Sequence, residues 1–274
     1  MLTRAIPSTA EKLPVIGLGT WIQFDVGPSA NERQPLTEVL MQMAAHGGSV
    51  IDSSPMYGRA EAVVGDLTSQ LLNADAFFYA TKVWVQGKDS GEQQISASFK
   101  KLRRHTIDLL QVHNLVDWCT HMRTLRQLKE EGRIRYIGIT HYHRSAHAQL
   151  EEILRAEPID FVQFNYSIRE RHAERSLLPA AQERGVAVLI NEPFETGALF
   201  RLVKGKPLPS WAADYGIANW SQFFLKFIIA HPAVTCVIPG TSNPDNLVAN
   251  MQAGNGPLPD EVLRRKMVQV MEAL

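Results

Sequence analysis

The stretch Ile107-Asp-Leu-Leu-Gln-Val-His-Asn-Leu-Val-Asp-Trp-Cys-Thr-His-Met-Arg-Thr-Leu-Arg-Gln-Leu-Lys-Glu-Glu-Gly-Arg-Ile-Arg-Tyr-Ile-Gly-Ile-Thr140 reads as a strand, a helix and a second strand. Residues 109–113 are a short apolar run that suits a buried strand. Residues 119–131 are helical and end at Gly132, because glycine enters the left-handed conformation that closes a helix without a Cβ penalty. Residues 136–140 are apolar again. Two buried strands joined by a helix lie parallel, since a parallel pair needs a long crossover.

The same alternation extends in both directions. Strands are predicted at residues 15–20, 50–52, 77–82, 109–113, 136–140, 161–165, 187–191 and 236–239. Helices are predicted at 36–45, 59–72, 92–104, 119–131, 145–155, 173–184 and 220–230, followed by 244–253 and 260–273. Gly47 and Gly185 repeat the punctuation seen at Gly132. Eight units of about 30 residues fit an α/β fold of the closed (β/α)8 TIM-barrel type. An open dinucleotide-binding sheet would need GxGxxG after its first strand, and Gly17-Leu-Gly19-Thr-Trp21 does not continue that way. No linker or low-complexity stretch divides the chain, so residues 1–274 are expected to form one domain. Residues 2–15 are expected to form a hairpin closing the barrel floor.

Composition narrows the function classes. Twenty-eight basic residues balance 28 acidic ones, which argues against nucleic acid or an anionic membrane as partner. Cys119 and Cys236 form no CxxC or Cys/His cluster and read as idle thiols in a reducing compartment. No run of 18 apolar residues occurs, and the N-terminal residues lack the apolar core of a signal peptide. A cytoplasmic monomer is the expectation.

Four side chains stand at or just beyond strand ends: Asp52, Tyr57, Lys82 and His113. In a barrel, the C-terminal ends of the strands converge on the face where active sites form. Alone, each has an ordinary reading: Asp52 as a helix cap, Tyr57 as a loop aromatic, Lys82 as a side chain snorkelling to solvent, His113 as a core residue. Together they are the parts of a proton relay at the ends of three consecutive strands. A phenol is a poor acid near neutrality, and a neighbouring ammonium favours its phenolate and lowers its pKa. Lys82 can supply that charge, Asp52 can keep Lys82 protonated, and His113 can orient a substrate oxygen or share in proton transfer.

Six segments make the chain resemble the aldo-keto reductases over nearly its whole length. They are Gly17-Leu-Gly-Thr-Trp21, Asp52-Ser-Ser-Pro-Met-Tyr-Gly58, Ala80-Thr-Lys-Val-Trp84, Leu110-Gln-Val-His-Asn114, Gly132-Arg-Ile-Arg-Tyr-Ile-Gly138 and Ile238-Pro-Gly-Thr-Ser242. The resemblance implies reduction of an aldehyde or ketone on a (β/α)8 barrel that binds NADPH, with NADH as a second option. It implies Tyr57 as general acid, Lys82 and Asp52 as its tuning pair, and His113 as the residue orienting the carbonyl. It implies cofactor contacts from Gly19, Thr20, Trp21 and Asp52, and from Gln163 to the nicotinamide carboxamide. Thr140 and His141, where the family usually has a Ser-Asn pair, are implied beside Gln163, and Asn191, where it often has a stacking aromatic, beyond it. The loop after the seventh strand would add Pro193, Phe194, Gly197 and Leu199; the last strand and the next helix would add Gly240, Thr241, Asn246 and Asn250.

Gly240 and Asn246 stand where many members carry the Lys and Arg that grip the 2′-phosphate of NADP. Thr241, Ser242, Asn243 and the helix N-terminus can still receive a phosphate, whereas Asp245 repels one. Arg201, Lys204 and Lys206 can compensate or simply be solvated. Trp21, Trp84, Asn114 and Trp118 are expected to line the substrate pocket, and a chain that stops at Leu274 is expected to leave that pocket open. Two other classes compete: a nicotinamide-cofactor-sensing regulatory protein with little turnover, and a metal-dependent barrel hydrolase using His141, His143 and His147.

Overall fold

A computed structural model describes all of residues 1–274. Eight parallel strands follow one another around the sheet in chain order. They are β3 (Leu18–Gly19), β4 (Val50–Asp52), β5 (Phe78–Val83), β6 (Ile107–His113), β7 (Ile134–His141), β8 (Phe161–Asn165), β9 (Ala187–Asn191) and β10 (Cys236–Val237). They are preceded by an antiparallel hairpin of β1 (Thr3–Ala5) and β2 (Lys12–Pro14). The barrel closes where Ile16 pairs with Val237 and Gly19 with Gly240. This seam requires glycine: a Cβ on Gly19 would lie 2.8 Å from the Ile238 carbonyl oxygen, and one on Gly17 would lie 2.9 Å from that of Val50.

The outer layer consists of α1 (Ala30–Ala45), α2 (Ala60–Thr68), α3 (Lys88–Leu102), α4 (Trp118–Glu130), α5 (His147–Ala156), α6 (Leu177–Glu183), α7 (Ala198–Leu202), α8 (Trp220–Ile229), α9 (Pro244–Gln252) and α10 (Glu261–Glu272). No helix is long and apolar enough to cross a membrane. Every predicted strand is present, and the helices differ mainly at their ends. α1 starts six residues before residue 36: the Ser29 hydroxyl accepts the Glu32 N–H, and Pro35 is carried inside the helix. α2 stops at Thr68, and α6 starts at Leu177 after a separate 3-10 turn at His172–Glu174. The five-residue α7 is too short to leave a periodic signal.

Side chains alternate across each strand and divide the apolar residues into two bodies. One lies between the sheet and the helices, with Phe164, Ile190 and Phe224 among its fully buried members. The other fills the lower barrel. Ile6 and Leu13 of the hairpin pack there with Val50, Phe78, Leu109, Tyr136 and Phe161, which is the expected closed floor. One inward step further along the same strands, the residues turn polar: Asp52 on β4, Lys82 on β5, Gln111 and His113 on β6, Gln163 on β8. The fold thus plugs the barrel's lower end with hydrocarbon and places its polar groups toward the C-terminal rim.

Candidate active site

β4 and β5 bring Asp52 and Lys82 together inside the barrel, both almost fully buried. Lys82 Nζ donates to Asp52 Oδ2 at 2.6 Å and to the Ser53 carbonyl at 2.7 Å. Burial pushes the pKa of this amine down. Asp52 and Tyr57 outweigh that effect and hold its pKa above the ordinary lysine value. Asp52 Oδ1 also accepts a 3.4 Å hydrogen bond from Gln111 Nε2, which reaches Gln163 Oε1 at 3.3 Å.

Tyr57 comes from the loop after β4, where its N–H donates to the Ser54 carbonyl. The Lys82 ammonium lies 5.1 Å from the centre of its ring. Burial is the largest influence on the phenol and raises its pKa; Lys82 pulls the other way without reversing the sign. The lowered tyrosine pKa expected from the sequence is therefore corrected: the group stays a neutral phenol, and Lys82 offsets only part of the burial effect. His113 ends β6 with its ring 5.9 Å from that of Tyr57, edge to face. Burial first, then the charges of Lys82 and His141, push its pKa down to about 2, so the imidazole is neutral near pH 7. Its Nδ1 lies 2.9 Å from Ser54 Oγ.

The four side chains singled out in the sequence therefore share one crevice. Trp21 and Trp84 are partly exposed, at 50% and 39%, and the Trp84 ring lies 6.5 Å from that of His113. Asn114 and Trp118 are half-buried on the loop after β6 and the start of α4. Seven of the nine non-glycine residues with positive φ lie in loops that follow strands β3, β6 and β9: Ile22, Asn114, Leu115, Asp117, Glu192, Glu195 and Thr196. Such strain persists where surrounding structure imposes it, and it clusters here on the rim that carries the relay.

The residues expected to hold a dinucleotide suit a nicotinamide at the Gln163 end better than a 2′-phosphate at the Asn246 end. Gln163 is buried, and the buried oxygens Gln111 Oε1 and Asn191 Oδ1 have no hydrogen-bond partner, leaving acceptors suited to a carboxamide. Thr20 is committed to the Asp52 carbonyl, at 3.0 Å, and His141 Nδ1 accepts the His143 N–H. Gly19 is taken up by the seam, Pro193 is buried, and Phe194 packs 4.8 Å from the Phe200 ring. Leu199 points into the outer core, so it offers backbone alone, beside the left-handed Gly197. At the far end Gly240 and Asn246 are exposed, Thr241 bonds within its own turn, and Asn250 is buried. Asn243 caps α9 by accepting the N–H groups of Asp245 and Asn246, so these first-turn donors are already engaged.

His141, His143 and His147 do not converge. His143 Nδ1 meets Ser145, His147 Nε2 donates to Asn165 Oδ1 at 2.9 Å, and no group of three ligand-type side chains is close enough to share a metal. Three residues of the crevice were not singled out in the sequence: Ser54, Gln111 and Glu192. Strict alternation back from His113 would have placed Gln111 inside the barrel. Glu192, on the strained loop after β9, has a carboxyl raised first by burial, and its charge reaches Tyr57.

The chain is similar to several known proteins. The chain is 26% identical over 201 residues to Aldo-keto reductase YhdN of Bacillus subtilis, covering 68% of this chain and only 60% of that protein. It is 26% identical over 244 residues to the NADH-specific methylglyoxal reductase of Escherichia coli, covering 78% of this chain and 73% of that one. A Klebsiella pneumoniae aldo/keto reductase, crystallised in complex with NADP and acetate, superposes with a TM-score of 0.81 at 25% identity, over 96% of this chain and 93% of that one. The family model for the aldo/keto reductases matches residues 15–266, from the first barrel strand to the last helix. With a (β/α)8 barrel and a family match over nearly its full length, the chain belongs to the aldo/keto reductase family.

Proposed function

We propose that the protein reduces aldehyde or ketone carbonyls with a nicotinamide cofactor, Tyr57 acting as the general acid. The observation that carries this reading is the buried Lys82–Asp52 pair beneath Tyr57, beside a neutral His113. A reduced nicotinamide, when bound, supplies the hydride. Gln163, with Asn191 and Thr140, would hold its carboxamide end. His113 and Tyr57 receive the substrate oxygen, whose two lone pairs can accept one hydrogen bond from each. As negative charge gathers on that oxygen, the Tyr57 hydroxyl gives up its proton. The Lys82 ammonium stabilises the phenolate left behind, and Asp52 keeps Lys82 charged while doing so. A phenol that stays protonated at neutral pH suits an acid that must donate only when the oxygen becomes basic.

The substrate is proposed to be a small aldehyde or ketone seated against Trp21 and Trp84. Three curated relatives bear the name methylglyoxal reductase, which favours the small end of that range. For the cofactor, NADPH is the expected partner, but Gly240 and Asn246 offer no charge to its 2′-phosphate and Asp245 opposes one. We therefore propose weak discrimination, with NADH used as well. A single domain acting as a cytoplasmic monomer, with no nucleic acid or membrane partner, completes the reading.

Fluorescence titration of the wild type and Tyr57→Phe with NADPH and NADH, followed by turnover with an aldehyde panel, tests it. Tyr57→Phe should lose at least about a hundredfold in kcat, the scale of a removed general acid, while both cofactor Kd values stay within a few-fold. Unchanged turnover in the variant overturns the mechanism. Tight cofactor binding with no turnover in the wild type would instead favour a cofactor sensor.

A further inference from the structure

Ser54 follows Asp52 by two residues and is fully buried. Its hydroxyl oxygen has two neighbours. It accepts the Met56 N–H at 3.2 Å and stands 2.9 Å from His113 Nδ1. A serine hydroxyl has one proton to give, and the Met56 N–H brings its own. The only acceptor within reach of the Ser54 proton is therefore His113 Nδ1. The opposite arrangement, with Nδ1–H donating to Ser54, would give the hydroxyl oxygen two incoming protons and leave its own proton buried without a partner, which native interiors avoid.

We infer that Ser54 is a positioning residue: its hydroxyl donates to His113 Nδ1 and fixes the imidazole tautomer that carries its proton on Nε2. The ring's only hydrogen bond within the chain is the one at Nδ1, so its other nitrogen, Nε2, is thereby made a donor facing outward from that bond. This matters because a neutral imidazole is a donor at one nitrogen and an acceptor at the other. In the wrong tautomer, an Nε2 lone pair would face the lone pairs of a carbonyl oxygen and repel it. In the fixed tautomer, His113 and Tyr57, whose rings meet edge to face at 5.9 Å, aim two donors at one substrate oxygen. That His113 is neutral follows separately from its burial and from the Lys82 charge. Ser54 then decides which of the two neutral forms is populated. The inference rests on the proposed carbonyl reduction and goes beyond it by naming what sets the donor.

The test has a spectroscopic arm and a kinetic arm, both on the full chain with cofactor bound. In histidine-15N-labelled protein, with the His113 signals assigned by their loss in His113→Gln, Nδ1 should resonate as an unprotonated nitrogen and Nε2 as a protonated one. Ser54→Ala should mix the two forms or invert them. It should also lower kcat/KM for an aldehyde by about tenfold or more, approaching the loss seen when an oxyanion donor is removed, with cofactor Kd unchanged. Ser54→Thr, which keeps the hydroxyl, should restore the wild-type tautomer and at least part of the rate. A wild-type His113 protonated on Nδ1, or a Ser54→Ala protein with wild-type tautomer and rate, overturns the inference. Failure of carbonyl reduction itself reads differently: no aldehyde would be turned over by the wild type, whatever its His113 tautomer.

Discussion

At the scale of the residue, the site is built on one buried ion pair. Lys82 and Asp52 are 1% and 2% exposed, and their charges are tolerable only because each satisfies the other. Asp52→Asn should keep the shape of the site but leave Lys82 facing a neutral amide and the Ser53 carbonyl. Stranding one member of a buried pair costs about 3–5 kcal/mol, so urea unfolding at pH 7 should show a loss of that order together with a fall in turnover. A loss below about 1 kcal/mol would mean that water or another group takes over from the carboxylate. The residue types of this relay were legible in the sequence because a lysine and an aspartate at the ends of apolar strands conflict with burial unless they meet. Ser54 and Gln111 were not legible in the same way. A serine and a glutamine raise no such conflict, and their partners, His113 and Asp52, each lie 59 residues away in sequence. Nor was the net direction of the Tyr57 shift: the sequence reveals the ammonium that lowers it but not the burial that outweighs it.

At the scale of the element, strands were legible and short helices were not, for one physical reason. A parallel strand covered on both faces must be apolar almost throughout, so even the three residues of β4 stand out. A five-residue helix such as α7 turns too few times to show a stripe, and its first residue follows a left-handed glycine within the strained loop after β9. Helix-to-helix spacing is set by details finer than pattern, and Gly65 gives the sharpest case. It lies inside α2, where a helix former would be the ordinary choice, yet a Cβ there would lie 2.0 Å from the Lys101 carbonyl at the end of α3. Gly65→Ala gains helix propensity but forces α2 and α3 apart. Overpacking costs about 1–3 kcal/mol, and each kcal/mol moves Tm by about 2–4 °C in a chain of this size, so calorimetry should record a clear drop. A Tm equal to or above that of the wild type would show that the two helices separate freely at this point.

At the scale of the whole molecule, the barrel holds neutral imidazoles in buried or half-buried places, and this makes its stability depend on pH. His113 is pushed down to about 2 and His231 to about 4, in both cases first by burial. His231 lies far from the relay, with its ring 6.2 Å from Tyr166 in the outer layer, so it can be changed without disturbing the site. An unfolded histidine titrates near 6.5. Above that value neither state takes the proton, and the folded form loses nothing. Below it the unfolded chain binds a proton that the folded chain refuses, so stability falls with pH until the folded pKa is reached. At pH 5 each of these two imidazoles should have withdrawn about 1–2 kcal/mol of the stability present at pH 7. Asp108 and Glu192 act in the opposite sense, because burial raises their carboxyls and the folded chain binds those protons first. The net loss alone is therefore a blunt test, and His231→Gln sharpens it. Urea unfolding of the two proteins at pH 7 and pH 5 should show the difference between the two pH values shrinking in the variant by about 1–2 kcal/mol, the share of one imidazole. Equal differences in both proteins would mean that His231 takes up its proton without unfolding the barrel.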